Sequence, residues 1–221
     1  KVSKDILDAV APDLNDAADP DSLTIHEAVG DLSALMQTLV DENMLFSVPE
    51  IRDLRAGAPA FTYIAEYSPW DAVLRGDADV ATVQVGLVTG NFFDVMGLSP
   101  VLGRLARASD DGPGVPPVTV LTHEFWIRRF GAASAIVGRR LLMNGQSVTV
   151  IGVLQPAPYF PDQVDCFTNM VFSEHHLSAT MVEGRTHRMT ELIGRLKPSA
   201  TLGEARTEIS TVHERLKRQY P

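Results

Sequence analysis

The histidines are the side chains of this sequence best suited to bind a metal ion. There are six of them: His26, His123, His175, His176, His187 and His213. A zinc site usually combines two ligands at helical or short-loop spacing with further ligands, as in the His-Glu-x-x-His pattern. His123-Glu124 lacks the second histidine, because position 127 is Ile, and adjacent side chains such as His175 and His176 point to different sides of most backbones. The sequence therefore favours surface or loop positions for the histidines and assigns neither a metal site nor a cofactor.

Two groups of aspartates could act as general acid and base, namely Asp110 with Asp111, and Asp162 with Asp165. Such chemistry needs two carboxyl groups held a few ångströms apart in a cleft. Both groups stand beside Gly or Pro, a context typical of solvated turns, so we predict turns. A secreted hydrolase or metal enzyme that uses His175, His176, Asp162 or Asp165 is the alternative from another functional class.

Cys166 is the single cysteine of the sequence, so it cannot form an internal disulfide. No known nucleophile signature surrounds it, and we interpret it as a small, half-buried core residue. The sequence also lacks the Gly-x-Ser-x-Gly, dinucleotide-binding and P-loop motifs. We therefore assign no catalytic and no cofactor-binding residue, and we expect that this is not an enzyme.

The charge balance argues against a nucleic-acid partner. The formal net charge is −9, with 28 acidic and 19 basic side chains, whereas a nucleic-acid-binding domain usually presents a basic face. Arg128-Arg129 and Arg139-Arg140 form clusters too short for a nucleic-acid or membrane patch. We expect these arginines to be solvated or to form salt bridges, with Arg139 extending to an acidic neighbour.

Two capping boxes predict the starts of two helices. Ser47 and Glu50 begin a helix that runs to about Gly57, and Thr201 and Glu204 begin the final helix. The final helix carries apolar residues at 3-4-3-4 spacing that must pack on a sheet or another helix. These residues are Leu202, Ala205, Ile209, Val212 and Leu216.

A β-hairpin is the strongest strand signal in the middle of the chain. Residues 140–143 and 147–151 are β-prone, and Asn144-Gly145 between them suits a type I′ turn. A helix is predicted over 123–130. Further strands are predicted at 61–68, 72–75 (joined to the preceding strand at Pro69-Trp70), 80–88, 118–121, 166–172 and 191–197.

The remaining segments are predicted as connectors, short helices or lead-in. Asn91 should cap a short helix that Gly97 ends, and residues 99–104, 110–117 and 178–188 read as loops. Residues 1–22 read as a loosely held acidic segment, followed by a strand at 23–28 and a helix at 31–42. The chain begins with Lys1, shows no apolar leader and contains no run of 18 apolar residues, so we expect a processed or excised segment.

Four blocks of this sequence, in order and spacing, resemble the MacB-like periplasmic core domain. The first block, 88–104, reads Val-Thr-Gly-Asn-Phe-Phe-Asp-Val-Met-Gly-Leu-Ser-Pro-Val-Leu-Gly-Arg. The second, 118–139, begins Val-Thr-Val-Leu-Thr-His-Glu-Phe-Trp-Ile-Arg-Arg-Phe-Gly and ends Ile-Val-Gly-Arg. The third, 142–154, is the hairpin that ends Val-Ile-Gly-Val-Leu, and the fourth, 194–221, is Gly-Arg-Leu-Lys-Pro with the closing amphipathic helix. The resemblance covers about residues 45–221, and residues 1–45 match the pattern poorly.

The resemblance implies an α+β fold of two lobes, with a porter-like α/β lobe from residues 1–80 and 185–221 and an inserted, mainly β, Sabre-like lobe from residues 81–184. It implies an extracytoplasmic domain between the first two transmembrane helices of an FtsX-like ABC transporter permease in the inner membrane. Such a domain would pass ATP-driven movement to an exported substrate or partner protein. Its partners would be its own transmembrane helices, a cytoplasmic ATP-binding subunit or domain, and a second permease copy or a periplasmic protein. A small-ligand binding module with a pocket between the lobes is the alternative.

Overall fold

The structure, a computed structural model, describes residues 45–76, 80–159 and 161–220. The predicted lead-in at 1–22, strand at 23–28 and helix at 31–42 lie outside these residues. The described helices are α1 (Val48–Gly57), α2 (Phe92–Met96), α3 (His123–Phe130), α4 (Ala179–Glu183) and α5 (Leu202–Gln219). None of these helices has the length and apolar character needed to cross a bilayer.

Eight strands form one sheet in the described part of the chain. They are β1 (Phe61–Arg75), β2 (Val80–Val88), β3 (Pro100–Gly103), β4 (Val118–Leu121), β5 (Arg140–Met143), β6 (Gln146–Leu154), β7 (Cys166–Asn169) and β8 (Glu191–Leu196). The α+β fold class is thereby confirmed.

Six of these strands close on themselves to form a barrel. The order runs β2-β7-β4-β6-β5-β1, and β1 also pairs with β2. The pairs β2–β7 and β4–β6 are parallel, whereas the other four pairs are antiparallel. Closure leaves these strands without free edges over their paired lengths, which protects them from pairing with another chain.

The β1 strand belongs both to the barrel and to the sheet outside it. Residues 61–67 pair with β8, and residues 67–75 pair with β2. The predicted break at Pro69-Trp70 is wrong, because the strand continues through both residues. The Thr89 N–H donates to the Glu66 carbonyl, so the backbone groups of Glu66 point towards β2. Residues along an antiparallel strand point alternately towards and away from one neighbouring strand, so the nitrogen of Pro69, three residues on, faces away from β2. The missing N–H of Pro69 therefore costs no hydrogen bond in that ladder.

The predicted hairpin is present as β5 and β6, with the paired residues Met143 and Gln146 flanking the turn. Asn144 and Gly145 have φ of 48° and 81°, as a type I′ turn requires. The Asn144 side chain also accepts a hydrogen bond from the backbone N–H of Val73 at 2.7 Å. The turn therefore ties β5 to β1 as well as to β6.

The barrel interior is apolar and closely packed. Its buried members come from all six strands, from α3 and from the short 3-10 turns Ser134–Ile136 and Met170–Phe172. Cys166 belongs to this core and is fully buried rather than half-buried as predicted. It is paired with Val85 of β2 on one side and with Leu121 of β4 on the other.

A second apolar cluster lies outside the barrel, where α1 and α5 pack on β8 and the first half of β1. We call this part the end layer. Both predicted capping boxes are present: the backbone N–H groups of Ser47 and Thr201 donate to Glu50 and Glu204 at 2.9 and 2.7 Å. The predicted stripe of α5 is also confirmed, because its apolar residues join this cluster.

A third apolar cluster surrounds α2 between the barrel and the end layer. The rings of Phe92, Phe93 and Phe167 pack together with centroid separations of 5.2 to 5.5 Å, and Phe93 meets the other two edge to face. Gly97 ends α2 with φ of 68°, as predicted. Asn91 stands at the predicted N-cap position, but its side chain makes no capping hydrogen bond. The side chain instead accepts from Thr89 Oγ1 at 2.8 Å and donates to the Ile64 carbonyl at 3.2 Å.

Two predicted loops contain regular structure. The segment at 99–104 includes β3, a short strand that pairs with β6. The segment at 178–188 includes α4, in which Met181 is 0% exposed. Both elements are four or five residues long, so neither shows the periodicity that a longer element would. The division at residues 80/81 and 184/185 into two lobes stays a prediction.

Candidate functional site

Polar side chains and one backbone N–H group gather where β1 passes from the end layer into the barrel. We call this group the junction: Arg55, Glu66, Thr89, Gly90 and Asp111. Arg55 lies on α1, Glu66 lies in β1, Thr89 and Gly90 follow β2, and Asp111 follows the 3-10 turn Ala108–Asp110. The junction thus joins four separate segments of the chain around one point of the β1 strand.

Glu66 lies at the centre of the junction. Its carboxylate is 2.8 Å from Arg55 Nη2, and the exposed fractions of the two side chains are 15% for Glu66 and 39% for Arg55. The Glu66 backbone exchanges hydrogen bonds with Thr89: its N–H donates to Oγ1 at 2.9 Å and its carbonyl accepts from N–H at 3.2 Å. Burial raises the pKa of the Glu66 carboxyl, and Arg55 opposes that rise. Removing Arg55 would leave a buried, uncompensated carboxylate.

Asp111 fixes the turn between β2 and α2. Both of its carboxylate oxygens accept the Gly90 N–H, at 3.0 and 2.8 Å. A Cβ at Gly90 would lie 2.1 Å from the Arg107 carbonyl oxygen, so only glycine permits this close approach. Burial raises the pKa of Asp111, and the Gly90 hydrogen bond opposes the rise.

Asp110 is buried, so the predicted solvated turn is wrong at this residue. Arg104 binds its carboxylate through two nitrogens, at 2.6 and 2.8 Å, and the Arg107 N–H donates to it at 3.0 Å. The Arg104 guanidinium holds the pKa of Asp110 below its usual range. Asn169 Nδ2 donates to the Asp110 carbonyl at 2.8 Å while Asn169 Oδ1 accepts from the Val118 N–H at 2.9 Å. This network anchors the segment next to the junction to the barrel strands β4 and β7.

Asp162 and Asp165 have separate structural partners. Asp162 accepts a hydrogen bond from the Tyr67 hydroxyl at 3.1 Å, and burial raises the pKa of that phenol. Asp165 forms an ion pair with Arg128 at 2.5 Å and accepts from the Gln84 N–H at 3.0 Å. Both aspartates therefore form contacts with distant residues that the turn prediction did not include.

His175 meets His187, a pairing that spacing alone did not indicate. Their Nε2 atoms are 3.2 Å apart. Neighbouring His176 is buried instead, with its Nδ1 2.8 Å from Ser173 Oγ and its ring edge-on to Trp70. Burial lowers the pKa of His176 to about 4, which makes it a poor base for activating Ser173 at neutral pH.

The arginine clusters take mixed roles. Arg128 pairs with Asp165, as the salt-bridge expectation proposed, and its guanidinium also lies 5.5 Å from the Phe125 ring centroid. Arg139 lies 5.8 Å from the Phe130 ring centroid. The Arg139 contact holds α3 against the start of the β5–β6 hairpin, whereas the Arg128–Phe125 contact lies within α3.

The predicted candidates for catalysis or metal binding are spread over different parts of the fold. Within residues 45–76, 80–159 and 161–220, no three His, Cys, Asp or Glu side chains lie close enough to share a metal ion. The densest polar group is the junction, whose hydrogen bonds join segments to one another. Its arrangement suits a mechanical connection between the end layer and the barrel.

Comparison with known proteins gives a family and a set of similar folds. The family model described as "MacB-like periplasmic core domain" matches residues 6–212. The periplasmic region of MacB from Actinobacillus actinomycetemcomitans is 16% identical with a TM-score of 0.59, covering 80% of this chain and 76% of that chain.

Two further structures have the same fold. The extracellular domain of the noncanonic ABC-type transporter YknZ from Gram-positive bacteria is 16% identical with a TM-score of 0.57, covering 78% of this chain and 85% of that chain. A domain of a permease protein from Porphyromonas gingivalis is 15% identical with a TM-score of 0.57, covering 77% and 71%. No protein of curated function matches the chain.

Proposed function

We propose a function for this chain from the premise that it belongs to the family of MacB-like periplasmic core domains. The chain is a domain of the periplasmic part of MacB-like ABC transporter permeases. In that family the domain lies on the periplasmic or extracellular side of an inner-membrane protein, in the company of transmembrane segments and an ATP-binding partner.

The proposed function is the transmission of ATP-driven movement to an exported substrate or partner protein, without catalysis in this domain. The end layer, continuous with the porter-like lobe of the expected architecture, would receive the movement. The barrel, most of whose strands come from the inserted Sabre-like lobe, would deliver it. ATP hydrolysis would take place in a separate cytoplasmic subunit or domain.

The shared β1 strand is the observation that carries this proposal. One strand of 15 residues pairs with β8 at its start and with β2 and β5 further on. The junction braces β1 at the point of transition, because Arg55 ties α1 to Glu66. A displacement of the end layer therefore reaches the barrel through backbone hydrogen bonds rather than through a flexible linker.

The full gene product offers the first test. Apolar segments of about 20 residues should flank this domain in the complete chain. A complete chain without such flanking segments would contradict a permease domain.

Distance measurements in the complete permease offer the second test. Spin labels at Leu142→Cys in the barrel and Thr211→Cys in α5 report the geometry within the domain; both positions are exposed. We expect the same distance distribution with and without a bound ATP analogue. A label pair between the barrel and the membrane part should change its distance under the same conditions.

The variant Glu66→Ala tests the junction, because it removes the ion pair that joins α1 to β1. We expect it to broaden the Leu142–Thr211 distance distribution. Glu214→Ala is the matched control, since Glu214 and Lys217 are exposed and only 3.4 Å apart on one helix. A nucleotide-dependent change in the wild-type distance within the domain would contradict rigid transmission.

A further inference from the structure

Two histidines from separate segments face each other near the outside of the molecule. His175 follows the 3-10 turn Met170–Phe172, and His187 lies between α4 and β8. Their Nε2 atoms are 3.2 Å apart, their ring centroids 5.0 Å apart, and their ring planes differ by 64°. His175 is exposed and His187 is half-buried, so an ion from solvent can reach the pair.

The geometry of this pair fits a shared metal ion. Two Zn–N bonds of 2.0–2.1 Å at a tetrahedral angle hold the two nitrogens about 3.4 Å apart and the two ring centroids about 5.2 Å apart. A collinear N–H···N hydrogen bond with the observed nitrogen separation of 3.2 Å would hold the centroids further apart than the observed 5.0 Å. The rings therefore converge at an angle, as they do in a two-histidine chelate.

The chain around each histidine is anchored by neighbouring residues. The Ser178 hydroxyl donates to the His175 carbonyl at 2.7 Å. The residues around His187 are tied to α1: Arg185 lies 2.9 Å from Asp53, and Arg188 binds Glu50 through Nε at 3.0 and 3.1 Å. Because these arginines already have carboxylate partners, the local positive charge on the side of His187 is balanced.

We propose that His175 and His187 form a binding site for a transition-metal ion that prefers imidazole, such as Zn²⁺ or Cu²⁺. The two Nε2 atoms supply the protein ligands, and water completes the coordination. A bound ion would link His175, in the segment that follows the barrel strand β7, to His187, in the segment that is anchored on α1. It would thereby restrict movement between the barrel and the end layer.

The test uses the whole 221-residue chain and metal salts in a buffer that does not bind metals. Calorimetric titration with zinc chloride should show one site that depends on both histidines. At a zinc concentration about 100-fold above the dissociation constant, we expect the Tm to rise by about 5–10 °C. Nitrogen NMR of the histidine rings should show both Nε2 resonances shifting together.

Three variants make the test specific. His175→Gln and His187→Gln should each abolish this site and the rise in Tm, and combining them should add nothing further, because each one already breaks the chelate. His123→Gln, on α3, is the matched control and should bind zinc like the wild type. Circular dichroism of each variant checks that it folds.

Two outcomes would overturn the proposal. One is a wild-type chain whose Tm does not change at about 1 mM zinc or copper, a concentration that would saturate a site of even modest affinity. The other is a zinc-binding isotherm that survives unchanged in the double variant, which would place the ion elsewhere in the chain.

Discussion

Removing the charge of Asp110 should destabilise the domain in a pH-dependent manner. The carboxylate accepts three hydrogen bonds, two from Arg104 and one from the Arg107 N–H. A hydrogen bond to a charged group contributes about 1.5–3 kcal/mol, but the Arg104 side chain is 41% exposed and regains water when its partner is lost. We therefore expect Asp110→Ala to lower the free energy of unfolding by about 2–3 kcal/mol at pH 7, and Asp110→Asn by about 1–2 kcal/mol.

The pH dependence follows from the direction of the pKa shift. Arg104 lowers the pKa of Asp110 in the folded state, so the unfolded state binds the proton more tightly. The stabilisation is complete above the unfolded pKa of about 3.9 and disappears as the pH falls through the lower folded pKa. The difference between wild type and Asp110→Asn should therefore stay constant from pH 7 to about pH 5 and shrink below about pH 4.

Urea unfolding followed by tryptophan fluorescence measures this difference, since Trp70 and Trp126 both pack against the barrel core. Asp71→Asn is the matched control, because Asp71 is exposed on β1, and its free energy of unfolding should match that of the wild type at pH 7. The reasoning would be refuted if Asp110→Asn matched the wild type at pH 7. It would also be refuted if its deficit stayed undiminished at pH 3.

Three other measurements probe the fold. Met181→Ala should lower the free energy of urea unfolding by about 2–4 kcal/mol because the side chain is fully buried. Leu177→Ala, at a side chain that is 43% exposed, should lower it little, and equal losses would contradict a buried α4. Thr201→Ala should cost about 1 kcal/mol through loss of the helix cap, and Thr211→Ala, within the same helix, serves as its comparison. The Cys166 thiol should resist alkylation at pH 8 in the native protein and react in denaturant, because burial raises its pKa to about 11; rapid native labelling would show that the barrel opens.

Local sequence patterns predict correctly the elements that depend on a few neighbouring residues. The Asn144-Gly145 turn and the capping box at Thr201 depend on neighbouring residues only, and both are present. The stripe on α5 is long enough for its period to be visible. The family resemblance was also readable from sequence, and the family model match confirms it.

Contacts between distant parts of the chain could not be predicted from such local patterns. Closure of the barrel depends on β2 meeting β7 and β1 meeting β5, and neither pairing is marked by a turn. The Gly and Pro residues that follow Asp110 in the sequence predict a solvated turn, whereas its burial beside Arg104 leaves no mark in the sequence. The His175–His187 pair is likewise created by the fold, since one fixed separation along a chain is compatible with many distances in space.

Because β1 is shared, the barrel and the end layer can form one after the other. All strands of the barrel precede β8 in the chain, so the barrel can close during synthesis before the partner of the first half of β1 has emerged from the ribosome. Until then, residues 61–67 present an unpaired edge that carries Phe61, Tyr63 and Ile64, the kind of edge that invites pairing with another chain. Docking of β8 and α5 covers this edge, so these two elements protect β1 against aggregation.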